Sequence, residues 1–312
     1  MTEMSTRAVV TAPAPIAVRR RRRRGRGAQG KLLFAVPALA LYAVIVIVPT
    51  VRGGALSFTD WDGLSPVYQW IGAANFARIF SNPVSLQALV VTLVVAAGVT
   101  VFQNLGGLLL ALGLNSRIKT RNVLRVMFFA PVVITPVVVA YLWQYLLTPD
   151  GPINSLLSAL GLGVLRQSWL GDPTLALVSV IGVIVWQNLG FSMVIYLAGL
   201  QSIPAELIEA AAVDGAGAWR RFASVVWPLL APATTINLIL TVIAGLKVFS
   251  EVYILTGGGP GTATQTLSAL IYKAAFEFNQ FGYSIALALV LAVIVAAVSA
   301  LQFRLSARSG RI

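Results

Sequence analysis

The sequence predicts an all-α, polytopic membrane protein with six transmembrane helices and both termini in the cytoplasm. Three observations carry that prediction. Mean hydropathy is +0.85, only 11% of residues are charged against 58% hydrophobic, and six separate runs contain no Asp, Glu, Lys or Arg. Such a composition supplies too little polar surface for a soluble domain. Crossing roughly 30 Å of hydrocarbon takes about 20 helical residues. Helix is the expected state, because an open strand in lipid leaves backbone groups unpaired.

In chain order, residues 1–30 come first, with Arg19 to Arg24 in an unbroken row flanked by Pro13, Pro15, Gly25, Gly27 and Gly30. That segment cannot build a packed core and is expected to be a disordered basic cytoplasmic tail. Its place directly before a span makes it a topology determinant resting on anionic headgroups of the membrane lipids rather than a site for nucleic acid. A signal peptide is the weaker expectation, since the apolar run after so long a leader has the length of a span rather than of a short h-region. The charge-free runs are residues 32–51, 86–114, 126–147, 174–200, 222–246 and 282–303. They divide the chain into residues 31–85, the first span and an extracytoplasmic loop; 86–303, a transmembrane core with a cytoplasmic loop at 201–221; and a cytoplasmic tail, 304–312. Pro37, Pro131, Pro136, Pro228 and Pro232 fall inside the runs, where kinks are tolerated if neighbouring helices satisfy the freed carbonyls.

Orientation follows from the 23 basic residues. All but Arg52, Arg78, Arg166, Lys247 and Lys273 lie in the amino-terminal segment, the second loop (Arg117, Lys119, Arg121, Arg125), the fourth loop (Arg220, Arg221) or the tail (Arg304, Arg308, Arg311). The positive-inside rule puts those segments in the cytoplasm.

The chain has no cysteine and no histidine. Disulfides, thiol nucleophiles, imidazole acid–base chemistry and the usual zinc ligands are therefore absent, and no catalytic residue, metal site or cofactor is expected. There is no GxxxxGK[ST] phosphate loop, GxSxG elbow or GxGxxG fingerprint, so the chain is not expected to be an enzyme or to hydrolyse nucleotide itself. Active transport would have to draw on an ion gradient or on another subunit. An ion-coupled carrier usually holds a charged residue in mid-span. The polar residues here are neutral: Gln103, Asn104, Gln144, Gln187, Asn188, Ser192, Thr234, Thr235 and Asn237. Amides in spans either bind neighbouring helices or face a solute. Gln187, Asn188, Ser192 and Asn237 are the candidates for a solute pathway, with Trp186 and Phe191 offering aromatic faces to a hydroxyl-rich, uncharged solute. Lys247 and Glu251, four residues apart, are expected to form an interfacial salt bridge at the outer end of the fifth span.

Residues 204–232 read PAELIEAAAVDGAGAWRRFASVVWPLLAP, a water-facing insert in an apolar chain. Ser202 is the expected cap of a short helix that carries Pro204 and Glu206 in its first turn and ends near Val213. Asp214-Gly215 supplies a turn in which glycine takes a positive φ without steric cost. A second helical stretch starts near Ala218. From the residues alone, this is an ordinary loop or a docking element. EAAAVDGAGAWRRF with Pro228 resembles the EAA signature of permease subunits of ATP-binding cassette importers. The family's apolar-Thr-Leu-Pro ending stands here as Val225-Val226-Trp227-Pro228.

SFTDWDG (57–63), WIGAANFARIF (70–80), LAGLQSIPAELIEAA (197–211) and YILTGGGPGTATQTLSALIYKAAFEFNQFGYSIALALVL (253–291) are similar to the binding-protein-dependent sugar permeases of the maltose and glycerol-3-phosphate uptake type. The resemblance implies a type I importer permease fold in the cell membrane. It also implies a second homologous permease subunit, a cytoplasmic ATPase dimer and an extracytoplasmic solute-binding protein as partners. By position, Glu209, Ala210, Ala211, Asp214 and Gly215 match the ATPase-coupling motif. The expected function is import of a carbohydrate or related polyol. A permease for a non-sugar solute and a non-transporting membrane scaffold are the alternatives.

Overall fold

The computed structural model describes residues 35–116 and 119–308. The basic tail of residues 1–30 lies outside the described residues, as do Lys31, Arg117 and Arg311 among the orientation markers. The chain divides into two units, one ending at Val51 and one beginning at Arg52. The first contains most of α1 (Ala35–Leu56), an apolar helix with a π-turn at Ala43–Ile47 and no buried residue up to Val51.

The second unit is helical, and its one β-bridge among the described residues joins Thr59 to Trp70. After α2 (Ala74–Ser81), α3 (Pro83–Leu114) starts where the Asn82 side chain accepts from Val84 N at 2.9 Å with proline in the first turn, a cap that also fixes φ for the helix. The third predicted run is a broken helix. α4 (Arg121–Val133) and α5 (Pro136–Leu146) meet at 99°, because Pro136 forces Thr135 out of the helical region to ψ 141. A short α6 (Pro152–Ala159) follows. α7 (Pro173–Gln201) is capped by Asp172 Oδ1, which accepts from Thr174 N and Leu175 N. After α8 (Ala205–Val213), the fifth run is again bent, α9 (Ala218–Leu229) and α10 (Ala231–Leu246) meeting at 66° between Pro228 and Pro232. α11 (Ser250–Thr256) and α12 (Leu267–Tyr272) lead to α13 (Phe281–Arg308). The last helix therefore continues into the segment predicted as a tail. Counting each bent pair once, the described residues hold six spans.

α3 and α7 are parallel neighbours. Gly98 faces Ile181, Gly106 faces Leu189 and Gly107 faces Ser192, so both numbers rise together. α10 runs against α3, with Gly245 on Ala96 and Asn104 bonded to Thr241. Val95, Val99, Val139, Val180, Ile184 and Val252 form the core of this packing. Lipid tails are as apolar as these side chains, so close backbone approach and interhelical hydrogen bonds, rather than escape from water, hold such helices together. Gly190 is an instance: a Cβ there would lie 2.7 Å from Phe129 Cα. Overpacking a core usually costs about 1–3 kcal/mol, and here the obstacle is backbone rather than a movable side chain. Gly190→Leu is therefore expected to cost at least about 3 kcal/mol. Thermal unfolding of the purified chain in detergent checks this, and an unshifted midpoint would refute the close α4–α7 contact.

Candidate functional site

The sequence candidates separate into three places. Gln187 is buried, and its Nε2 donates to Ile134 O at 2.9 Å. Ile134 is the carbonyl beside the Pro136 break, so Gln187 satisfies a backbone group that the bend in the third span has freed. Ser192 and Asn237 are fully buried and belong to a chain of hydrogen bonds between α3, α7 and α10. Gln103 Nε2 donates to Ser192 Oγ at 2.9 Å, and Ser192 Oγ donates to Asn237 Oδ1 at 3.0 Å. One helical turn along α7, Tyr196 OH donates to Asn104 Oδ1 at 2.9 Å, and Asn104 Nδ2 donates to Thr241 Oγ1 at 2.9 Å.

Of the four, Asn188 lines a cavity that the other three do not reach. Its Nδ2 gives one N–H to Ile184 O in its own helix and keeps the other, and its side-chain carbonyl oxygen keeps acceptor capacity. The cavity measures about 400 Å³ and lies between α3, α4, α5, α7, α10 and α11. Gln103, Thr241 and Ser250 add neutral polar groups, and Phe191 and Val132 add apolar surface. Trp186 turns away from it and meets Trp143 edge-on at 5.3 Å. Lys247 and Glu251 also line the cavity, which the sequence reading missed by pairing them. The helix breaks between them, at Lys247 (φ −101) and Phe249 (φ −135), so i, i+4 helical spacing does not apply. Among the described residues the ion pair is Arg166–Asp150 at 3.4 Å, not Lys247–Glu251. Glu251 is 7% exposed.

The loop candidates lie elsewhere. α8 buries no residue; Glu209, Ala210, Asp214 and Gly215 are exposed and Ala211 is half-buried. Gly215 has φ +78. Gly215 N donates to Ala212 O at 3.1 Å and Ala216 N to Ala211 O at 3.0 Å, the paired bonds of a Schellman ending. The helix therefore stops where the sequence predicts. Its beginning differs: Pro204 occupies the cap, and the Ser202 hydroxyl instead donates to Gly199 O at 2.8 Å, closing the preceding helix. Val213 and Trp219, 88% and 77% exposed, flank the turn. The loop thus presents three carboxylates, Glu206, Glu209 and Asp214, and the apolar side chains of Val213 and Trp219 on a short helix–turn–helix hairpin. It joins α7, which carries Asn188, to the α9–α10 pair, which carries Thr241.

Residues 103–311 match the family model described as "Binding-protein-dependent transport system inner membrane component". The chain is 39% identical over 275 residues to the probable ABC transporter permease protein YurN of Bacillus subtilis, covering 87% of this chain and 94% of that one. It is 36% identical to the multiple sugar-binding transport system permease protein MsmF of Streptococcus mutans, covering 88% and 93%. It is 33% identical to the trehalose/maltose transport system permease protein MalF of Thermococcus litoralis, over 84% and 88%. A solved bacterial ABC transporter involved in the import of the acidic polysaccharide alginate superposes with a TM-score of 0.78 at 25% identity, covering 90% of this chain and 96% of that chain.

Proposed function

The chain belongs to the family of binding-protein-dependent transport system inner membrane components, and from that premise we propose that it is the multi-pass permease subunit of an ATP-driven importer for carbohydrates or related polyols. One observation carries the mechanism: the exposed 205–221 hairpin connects α7 to the α9–α10 pair, and α7 and α10 are two of the helices that wall the cavity. A partner ATPase dimer that grips the hairpin and closes on ATP would move α7 against α10. The cavity would then open to alternate sides of the membrane. Permeases named for sugars among the relatives support the solute class, as do the neutral amide and hydroxyl groups beside Phe191. A second permease, the ATPase dimer and an extracytoplasmic solute-binding protein complete the assembly. The bias of basic residues supports a cytoplasmic position for both termini and for the hairpin.

Uptake by the reconstituted transporter in proteoliposomes tests this. Accumulation should require ATP and the binding protein and should survive an ionophore; uptake that persists without ATP and collapses with the ion gradient would overturn the reading. Asn188→Leu removes the one sequence candidate whose amide borders the cavity. It should lower sugar transport about tenfold, the loss of a hydrogen bond or two, without changing assembly. An unchanged rate and affinity would return Asn188 to helix packing.

A further inference from the structure

A second polar pocket, of about 260 Å³, opens beside the first turns of α3 and α13. Because α3 and α7 are parallel, this is the end of the bundle opposite the 205–221 hairpin. Its walls include Arg78, Gln265, Lys273, Gln280 and Tyr283, and no carboxylate. Arg78 lies 4.3 Å over the Tyr283 ring, whose hydroxyl is fixed by Ser85 Oγ at 2.6 Å. Lys273 Nζ uses one N–H on Gly257 O at 2.6 Å and keeps two. Neither cation has an acidic partner among the described residues. Gln265 is only 5% exposed, yet its side-chain amide makes no hydrogen bond to the described residues while it lines the pocket. The amide is thus left open to the pocket, beside the two cations.

We propose that this pocket holds the phosphate of an anionic phospholipid headgroup. The position favours lipid over an acidic protein surface. α3 and α13 begin their apolar spans at Pro83 and Phe281, so the pocket sits where hydrocarbon gives way to headgroups. Val84 in its wall and Leu86 just beyond it are 39% and 40% exposed. Phe80, Phe276 and Phe278 are 59%, 63% and 57% exposed around it, apolar surface that acyl chains can cover. Arg78 and Lys273 supply charge, and Gln265 and Gln280 supply amide donors to the phosphate oxygens.

Native mass spectrometry of the full-length chain in detergent, titrated with phosphatidylglycerol and with phosphatidylcholine, tests the assignment. The chain should hold one phosphatidylglycerol more tightly than any phosphatidylcholine, and inorganic phosphate should not displace it. The double variant Arg78→Gln, Lys273→Gln should weaken that lipid about thirty-fold, and Arg78→Gln alone about fivefold. Arg78→Lys should retain most of the binding. Since Lys273 also braces Gly257, the Arg78 pair of variants decides the matter if the double variant fails to fold. Equal phosphatidylglycerol binding by Arg78→Gln and wild type would overturn the proposal, and displacement by inorganic phosphate would convict a free-anion site instead. Weaker capture of a solute-binding protein with lipid binding unchanged would likewise overturn it, assigning the cations to a protein carboxylate.

Discussion

Glu209→Lys should reduce ATP-driven uptake by about a hundredfold while leaving the chain inserted and folded. Glu209 is exposed and has no ion-pair partner among the described residues, and surface substitutions of that kind usually change stability by no more than about 0.5 kcal/mol. A large functional loss therefore cannot come from the chain itself. It has to come from a partner, where facing like charges cost several kcal/mol; about 2.7 kcal/mol gives the hundredfold factor. Gly215→Leu should act by a different route. Nothing lies within 4 Å of a Cβ at Gly215, so there is no clash, but φ is +78 and a branched side chain in the left-handed region costs about 1–2 kcal/mol. The Schellman ending opens and the angle between α8 and α9 is lost. Gly215→Asn, which tolerates that backbone region, should keep most activity. ATP-dependent uptake and ATPase stimulation by the binding protein, measured on the same proteoliposomes, separate the cases. Normal uptake by Glu209→Lys and Gly215→Leu would sink the coupling role of the hairpin.

The hairpin was legible because its structure is local. Asp214-Gly215 after an alanine-rich helix states both the stop and the left-handed turn, and both occur at the predicted residues. Span existence was legible for a related reason, since the absence of charge over bilayer length is a property of each segment alone; the 86–114 and 174–200 runs emerge as Pro83–Leu114 and Pro173–Gln201. What neighbouring helices decide was not legible. Hydropathy gives 126–147 as one span, but Pro136 bends it by 99°, and only then does Gln187 acquire its partner at Ile134. The four amide and hydroxyl candidates look equivalent in a list of mid-span residues. Depth along α7 separates two of them: Asn188 and Ser192 share a helix face, yet Asn188 borders the cavity while Ser192, one turn on, is enclosed by Gln103 of α3 and Asn237 of α10. Lys247 and Glu251 were misread because a break in φ and ψ at Phe249 leaves no mark in charge spacing.

The same polar network yields the second large effect, on assembly rather than transport. Asn104 is buried between three helices, accepting from Tyr196 OH and donating to Thr100 O and Thr241 Oγ1. Asn104→Leu removes the acceptor from a Tyr196 hydroxyl in a residue only 2% exposed. Interhelical hydrogen bonds in membranes are modest, about 0.6–2 kcal/mol each, but a buried donor left unpaired adds a desolvation penalty of about 1–3 kcal/mol. The expected loss is therefore roughly 3 kcal/mol, at the upper end of single-site effects. The asymmetry between losing a bond and orphaning a donor gives a second measurement. Tyr196→Phe placed on top of Asn104→Leu removes the orphan and should recover about half of the lost stability, although it deletes a further polar atom. Thermal unfolding of the four chains of this cycle in detergent reads both effects. If Tyr196→Phe worsens the Asn104→Leu chain as much as it worsens wild type, the two side chains are uncoupled, and the 2.9 Å contact between α3 and α7 does not hold the spans together.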